Sequence, residues 1–160
     1  MPDKPTTLRL LQQSADDLAR EVAQTPPEAR MWRAKEGEWS VQECLAHLRD
    51  VERLVFLERV RRILAEERPL LPNFDETTYH REHWNPDEPA DAILADYASA
   101  RKEMVELASA APDWTRGGVH EMRGPITLAW QIDYALGHTW EHLSQILRVR
   151  LARELSRPAA

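Results

Sequence analysis

Near its C-terminus the chain reads Gly137-His138-Thr139-Trp140-Glu141-His142. Two histidines four residues apart lie one above the other on a helix face, so both imidazoles can reach one metal ion. A third histidine, His47, belongs to a second helical pattern far upstream. Only a bundle that packs the two helices together would bring it to the pair. Neutral imidazole ligates zinc, nickel, iron and copper. Three imidazoles on four-coordinate zinc leave one position for water or substrate. An ion so held lowers the pKa of its water toward ~7 and can polarise a bound group. His47, His138 and His142 are therefore the candidate metal ligands. Glu43, one turn before His47, and Asp50, nearly one turn after it, are candidates to orient it through its second ring nitrogen. Gln145, three residues after His142, could orient that ring or bind ligand.

Other readings compete for the same residues. The pair also spells His-x-x-Glu-His, the pattern of inverted zinc peptidases, with Glu141 as general base. Those enzymes need a downstream acidic ligand, and only Glu154 follows here, so a solvated helix position is the expectation for Glu141. His80 and His83 form a weaker pair. With Asp75 and Glu76 they could ligate a metal or bend over the main site as a lid; exposed histidines on a polar crossover are the favoured reading. His83 is also a candidate to assist the chemistry. Cys44 shares a face with His47 and could be a soft extra ligand, but such a cysteine is more often a small buried hydrophobe. No basic neighbour marks it as an activated thiol. His120 is expected in a loop, and the six tryptophans as core and pocket walls.

The elements that must position these groups read as helices. Leu8, Leu11, Ala15, Leu18 and Val22 step by three and four, with Thr6 or Thr7 as cap and Pro26-Pro27 as stop. Ser40-Val41-Gln42-Glu43 reads as a capping box. The second helix then runs through Cys44, Leu45, Leu48, Val51, Leu54 and Val55 to about residue 66. Residues 67 to 88 hold Pro69, Pro72 and Pro86. A connection so long makes sense as a crossover joining two parallel helices at opposite ends of a bundle, with a short helix between Asp75 and Trp84. The third helix opens near Asp87 or Glu88, with Pro89 in its first turn. The loop 112 to 126 carries a Gly124-Pro125 turn signal. The fourth helix runs from about Thr127 to about 153, its inward line being Gln131, Tyr134, Ala135, His138, His142, Gln145, Ile146 and Val149. That line is polar in its middle, and Gly137 within it costs about 1 kcal/mol relative to alanine. Close approach of a neighbour or ligand is the expected reason. The fold class predicted is all-α: a four-helix bundle with a long crossover between helices 2 and 3.

Composition narrows the partners. The 160 residues suit one domain, 1–160, with a sizeable core. Lys and Arg number 21 against 27 Asp and Glu, a formal charge of −6. That balance argues against nucleic acid, which requires a basic face. No run approaches a membrane span, and Met1-Pro2-Asp3-Lys4-Pro5 lacks the apolar core of a signal peptide. With one cysteine there is no internal disulfide, and a reducing cytoplasm is the expected location. A small-molecule substrate is the expected partner.

Three stretches together carry a family likeness. They are Trp39-Ser40-Val41-Gln42-Glu43-Cys44-Leu45-Ala46-His47-Leu48, the crossover with Pro72-Asn73-Phe74-Asp75, and His138-x-x-x-His142-Leu143-x-Gln145-Ile146. In order and spacing they resemble the DinB/YfiT-like superfamily over nearly the whole chain. The resemblance implies a four-helix bundle with a long crossover after the second helix. It also implies a divalent metal, zinc, nickel, iron or manganese, on three histidines that map to His47, His138 and His142, and it makes a homodimer common. Members of the family look like thiol S-transferases using bacillithiol, mycothiol or glutathione, or like metal-dependent hydrolases. One branch isomerises maleylpyruvate with mycothiol and carries an extra C-terminal domain not seen in this sequence. The expected function is thiol S-transfer to a small electrophile with a low-molecular-weight thiol. Metal-dependent hydrolysis and a non-catalytic metal- or ligand-binding bundle are the alternatives.

Overall fold

The first helix, α1 (Lys4–Ala23), opens on Asp3, whose carboxylate accepts from the Thr6 N–H. Thr6 and Thr7, the expected caps, fall inside the first turn instead. A carboxylate placed three residues before Thr6 satisfies a free N–H and also suits the positive end of the helix dipole. Residues 3–156 are described in this computed structural model. Helix α2 begins at Val41 behind the predicted capping box: the Glu43 N–H donates to Ser40 Oγ and the Ser40 N–H to Glu43 Oε2. It runs as an α-helix over Val41–Val51, as a π-helix over Glu52–Leu57 and again as an α-helix over Glu58–Ala65. A π segment takes up an extra residue, so the apolar stripe slips. Leu54, expected inward, is therefore exposed, while Glu52, Val55 and Phe56 are buried.

The crossover contains a two-residue strand β1 (Leu70–Leu71) and the short helix α3 (Glu76–His83), capped by Asp75, whose side chain accepts from the Thr78 N–H. Helix α4 (Ala90–Ala110) follows Pro89, which stands as the cap rather than in the first turn. The stretch expected as a loop holds a hairpin, β2 (Gly117–His120) and β3 (Gly124–Thr127), and β1 pairs parallel to β2 to make a three-stranded sheet. The signal for it was steric and invisible in the alternation pattern. A Cβ on Gly117 would lie 1.9 Å from the Ile126 carbonyl oxygen, so this pairing needs glycine. Gly124 takes φ +76° at the turn. His120 is buried on β2, and its Nδ1 accepts from the Met122 N–H.

Helix α5 (Leu128–Ser156) closes the bundle. α1 packs on α4 and α5, and α2 packs on the same two, so α1 and α2 are diagonal. The pairs Arg53–Asp96 and Arg61–Glu103 advance together along α2 and α4, as expected for parallel helices joined by a crossover. The four-helix bundle with its crossover between bundle helices 2 and 3 is thus the observed fold. No helix among the described residues is long and apolar enough to cross a membrane.

At mid-height the core is ionic. Arg101 of α4 is fully buried and donates twice to the Glu52 carboxylate, at 2.6 and 2.9 Å. It also donates to the Leu11 carbonyl and Ser14 Oγ of α1, and to Thr139 Oγ1 of α5. One guanidinium thereby ties all four bundle helices. Replacing Arg101 by alanine should cost about 3–5 kcal/mol by urea denaturation, since Glu52 is left buried and unpaired. The double variant Arg101→Met, Glu52→Gln should lie closer to wild type than that single variant. Gly137, by contrast, is exposed, with nothing within 4 Å of the point a Cβ would occupy, so the expected close approach does not occur. Nothing in the structure explains this glycine. Gly137→Ala should raise stability by about 1 kcal/mol in the same measurement.

Candidate metal centre

His47 reaches the core because the capping box fixes where α2 begins, which places it nearly two turns inside, between Cys44 and Val51. It is 4% exposed, and His138 from the middle of α5 is 9% exposed. α2 and α5 pack closely here: Phe56 meets Tyr134 and His138 edge-on at 5.7 and 5.3 Å between ring centroids. The same packing brings His47 within 5.2 Å of the His138 ring and 4.7 Å of the His142 ring. His47 Nε2 and His138 Nε2 are 3.3 Å apart. One nitrogen from each of His47, His138 and His142 lies within 4.8 Å of the others.

The surroundings disfavour the charged form of His47 and of His142. Burial, and after it the neighbouring imidazoles of His142, His138 and His80, pushes the His47 pKa down to about 2. Burial and His138 lower His142 as well, with the Gln145 contact opposing them. His142 Nδ1 donates to Gln145 Oε1 at 2.9 Å, which fixes the tautomer and leaves its Nε2 lone pair free. Gln145 therefore stands where an orienting group was expected. Trp39 covers the cluster, 4.8 Å from the His47 ring and stacked at 6.1 Å on His142.

These residues fit a divalent cation. A tetrahedral ion with bonds of ~2.0–2.1 Å sets its ligand nitrogens about 3.3–3.4 Å apart, the separation seen between His47 and His138. Ligation demands imidazoles that supply lone pairs rather than protons, and burial favours that form at His47 and His142.

Several expected contributors are engaged elsewhere. Glu43 is held by the Ser40 cap and by Arg33 Nε at 2.9 Å, and Asp50 by Arg49 Nε at 2.6 Å. Neither orients His47, because each has a nearer cation or N–H donor. Glu141 is exposed on the outer side of α5. His83 is exposed, stacked on Tyr79 at 4.0 Å, with its Nδ1 against the Tyr79 carbonyl. Its partner in the sequence pair behaves differently. His80 is buried, 4.4 Å from the Trp39 ring and 6.2 Å from the His47 ring. Cys44 is buried in the apolar core, where burial pushes its thiol up to about 12, and its sulfur does not join the donors clustered from His47, His138 and His142. The sequence leaves Glu76 either in a second, weaker site or on a lid over the main one; its carboxylate lies against the main cluster, 3.4 Å from His47 Nε2 and 3.5 Å from His138 Nε2. Beside His142 opens a groove of about 740 Å³, lined by Lys35, Glu38, Trp39, Gln145 and Arg148 among others.

A family model for the DinB superfamily matches residues 10–146. Among solved structures, the chain is similar to YfiT from Bacillus subtilis, described as a probable metal-dependent hydrolase with an unusual four-helix bundle topology. The TM-score is 0.84 at 20% identity, over 97% of this chain and 89% of that one. It is also similar to TT2238, a four-helix bundle protein, with TM-score 0.66 and 18% identity over 91% and 99% of the two chains. A candidate DinB-family member from Exiguobacterium sibiricum gives TM-score 0.65 and 16% identity over 99% and 97%. No protein of curated function matches.

The neutral imidazoles predict a pH dependence. Where the folded pKa lies below the unfolded value near 6.5, the unfolded chain binds the extra proton, so stability rises with pH. Metal-free protein should hold its stability above about pH 6.5 and lose it as pH falls below that, with His47 alone contributing up to about 1.4 kcal/mol per pH unit. Urea denaturation in chelator from pH 8 to pH 5 measures this; a flat profile would contradict buried neutral rings.

Proposed function

The chain belongs to the DinB superfamily, and we propose that it is a divalent-metal-dependent enzyme transferring a small thiol to an electrophile, its ion held by His47, His138 and His142. The observation that carries this reading is the convergence of three imidazole nitrogens within 4.8 Å at the floor of a covered site. A divalent cation bound there, zinc, nickel, iron or manganese, supplies the positive charge that keeps a thiol sulfur in its nucleophilic thiolate form.

The protein's own side chains do the rest. Gln145 holds the His142 ring in orientation, and Phe56 and Trp39 exclude water and keep the local dielectric low. Lys35 and Arg148 on the groove beside His142 supply cations matched to the carboxylates that glutathione and bacillithiol carry. An electrophile brought beside that sulfur would form a C–S bond as its leaving group departs with its electron pair, the thiol proton having passed to solvent.

Hydrolysis is the second reading, supported by the description of YfiT as a probable metal-dependent hydrolase. Glu76, beside His47 and His138, is the carboxylate placed to serve as its base; Glu141 and His83, away from the cluster, are not.

Elemental analysis of protein purified without a histidine tag should give about one divalent ion per chain. His138→Ala should abolish that content and turnover while the fold persists by circular dichroism. The metal-loaded protein should consume glutathione or bacillithiol with 1-chloro-2,4-dinitrobenzene, and Arg148→Ala should raise the thiol KM several-fold without changing metal content. Ester cleavage that is indifferent to added thiol would favour the hydrolase instead. Absence of metal from wild type after incubation with each of the four ions would sink both readings.

A further inference from the structure

Glu76 lies in the first turn of α3, the short helix of the crossover. Its Oε2 is 3.4 Å from His47 Nε2 and 3.5 Å from His138 Nε2, and those two nitrogens are 3.3 Å from each other. A single oxygen nearly equidistant from two rings addresses the point between them rather than either ring alone. The three edges, equal to within a few tenths of an ångström, match the face spanned by the ligand atoms of a small divalent cation. Glu76 makes no salt bridge with a Lys or Arg among the described residues, so no other ion pair accounts for its position.

Two features of α3 place the carboxylate there. Asp75 caps the helix through the Thr78 N–H, which fixes where its first turn starts. One turn on, His80 sits between Trp39 and Trp84, with ring centroids 4.4 and 5.6 Å away. Neither His80 ring nitrogen has a hydrogen-bond partner among the described residues. The helix is therefore seated on the site by ring contact at one end and by Glu76 at the other. The Glu76 side chain remains 30% exposed, against 5% and 8% for those of His47 and His138. It is more open to solvent than either ring it faces.

We propose that Glu76 is a fourth, exchangeable ligand: its carboxylate completes the coordination in the resting protein and yields to an incoming anionic donor. This rests on the reading of His47, His138 and His142 as ligands. Three neutral imidazoles leave a divalent charge intact, and one carboxylate halves it. Exchange of that carboxylate for a thiolate conserves the charge of the site, and a borderline-soft ion such as zinc favours sulfur over a hard oxygen. The crossover helix thus carries the group that substrate must displace.

The test loads Co²⁺ into untagged wild type, Glu76→Gln, His138→Ala and, as a control on the same helix, His83→Ala. Affinity is read by chelator competition, coordination by visible absorption, and exchange by titration with azide. Glu76→Gln should weaken Co²⁺ binding at least tenfold, shift the visible bands and bind azide about tenfold more tightly, while its metal-free melting temperature stays at the wild-type value. His83→Ala should match wild type throughout. Wild-type affinity, spectrum and azide binding in Glu76→Gln would overturn this proposal, and with Co²⁺ lost from His138→Ala the three-histidine reading would survive it. Failure of wild type itself to bind Co²⁺ would overturn both.

Discussion

The buried guanidinium of Arg101 is the constraint on which the rest of the structure depends. Burying a charge is costly unless it is paired and hydrogen-bonded, and the contacts that Arg101 makes come from the three other bundle helices. Glu52 on α2, Leu11 and Ser14 on α1, and Thr139 on α5 must all arrive at one height. Glu52 is five residues beyond His47, and Thr139 directly follows His138. The geometry that satisfies the ion pair therefore sets the axial register of the two helices that carry the imidazoles. The π segment belongs to the same arrangement, because it begins at Glu52 and shifts the inward phase of α2 to present that carboxylate.

Around the histidines the balance is different. Here burial is used to disfavour charge, not to pair it. Trp39 against His47 and Phe56 against His138 leave the cluster little access to water, and neighbouring imidazoles add to the penalty on protonating His47. The group that results is poor at binding protons and well suited to a cation with several open valences. Orientation comes from hydrogen bonding at the far nitrogen, as with Gln145 on His142, and from ring packing. The carboxylates first suspected of that task are committed to structural work: Glu43 caps α2 and pairs with Arg33, and Asp50 pairs with Arg49. An acidic residue one helical turn from a histidine was thus a poor guide to its partner, since a cap or an arginine competes for it more strongly.

The crossover shows how much of a site can come from a segment that carries no core stripe. Its helix brings Glu76 to the donors and His80 beneath Trp39, yet in sequence the two looked like part of a separate acidic and histidine-bearing patch. Their proximity to the main cluster arises from where the chain must travel to join two parallel helices, not from any local pattern. The small sheet is of the same kind. β1 and β2 are separated by some fifty residues, and their pairing depends on Gly118 allowing close approach to the Pro69 carbonyl, as Gly117 does for β3.

Local chemistry made the bundle helices legible: the three-and-four spacing of apolar residues, the Ser40–Glu43 capping box and the proline stops are each decided within a few residues of chain. The His138–His142 pair could be read for the same reason, because four residues on a helix fix a distance whatever else folds around it. His47 could be named as a candidate but not located. The slip of phase at Glu52–Leu57, the Arg101 network, the hairpin and the approach of Glu76 depend on contacts between residues distant in sequence. Those contacts are selected by the joint cost of burying charge and unpaired backbone groups, a cost that exists only once the helices are assembled.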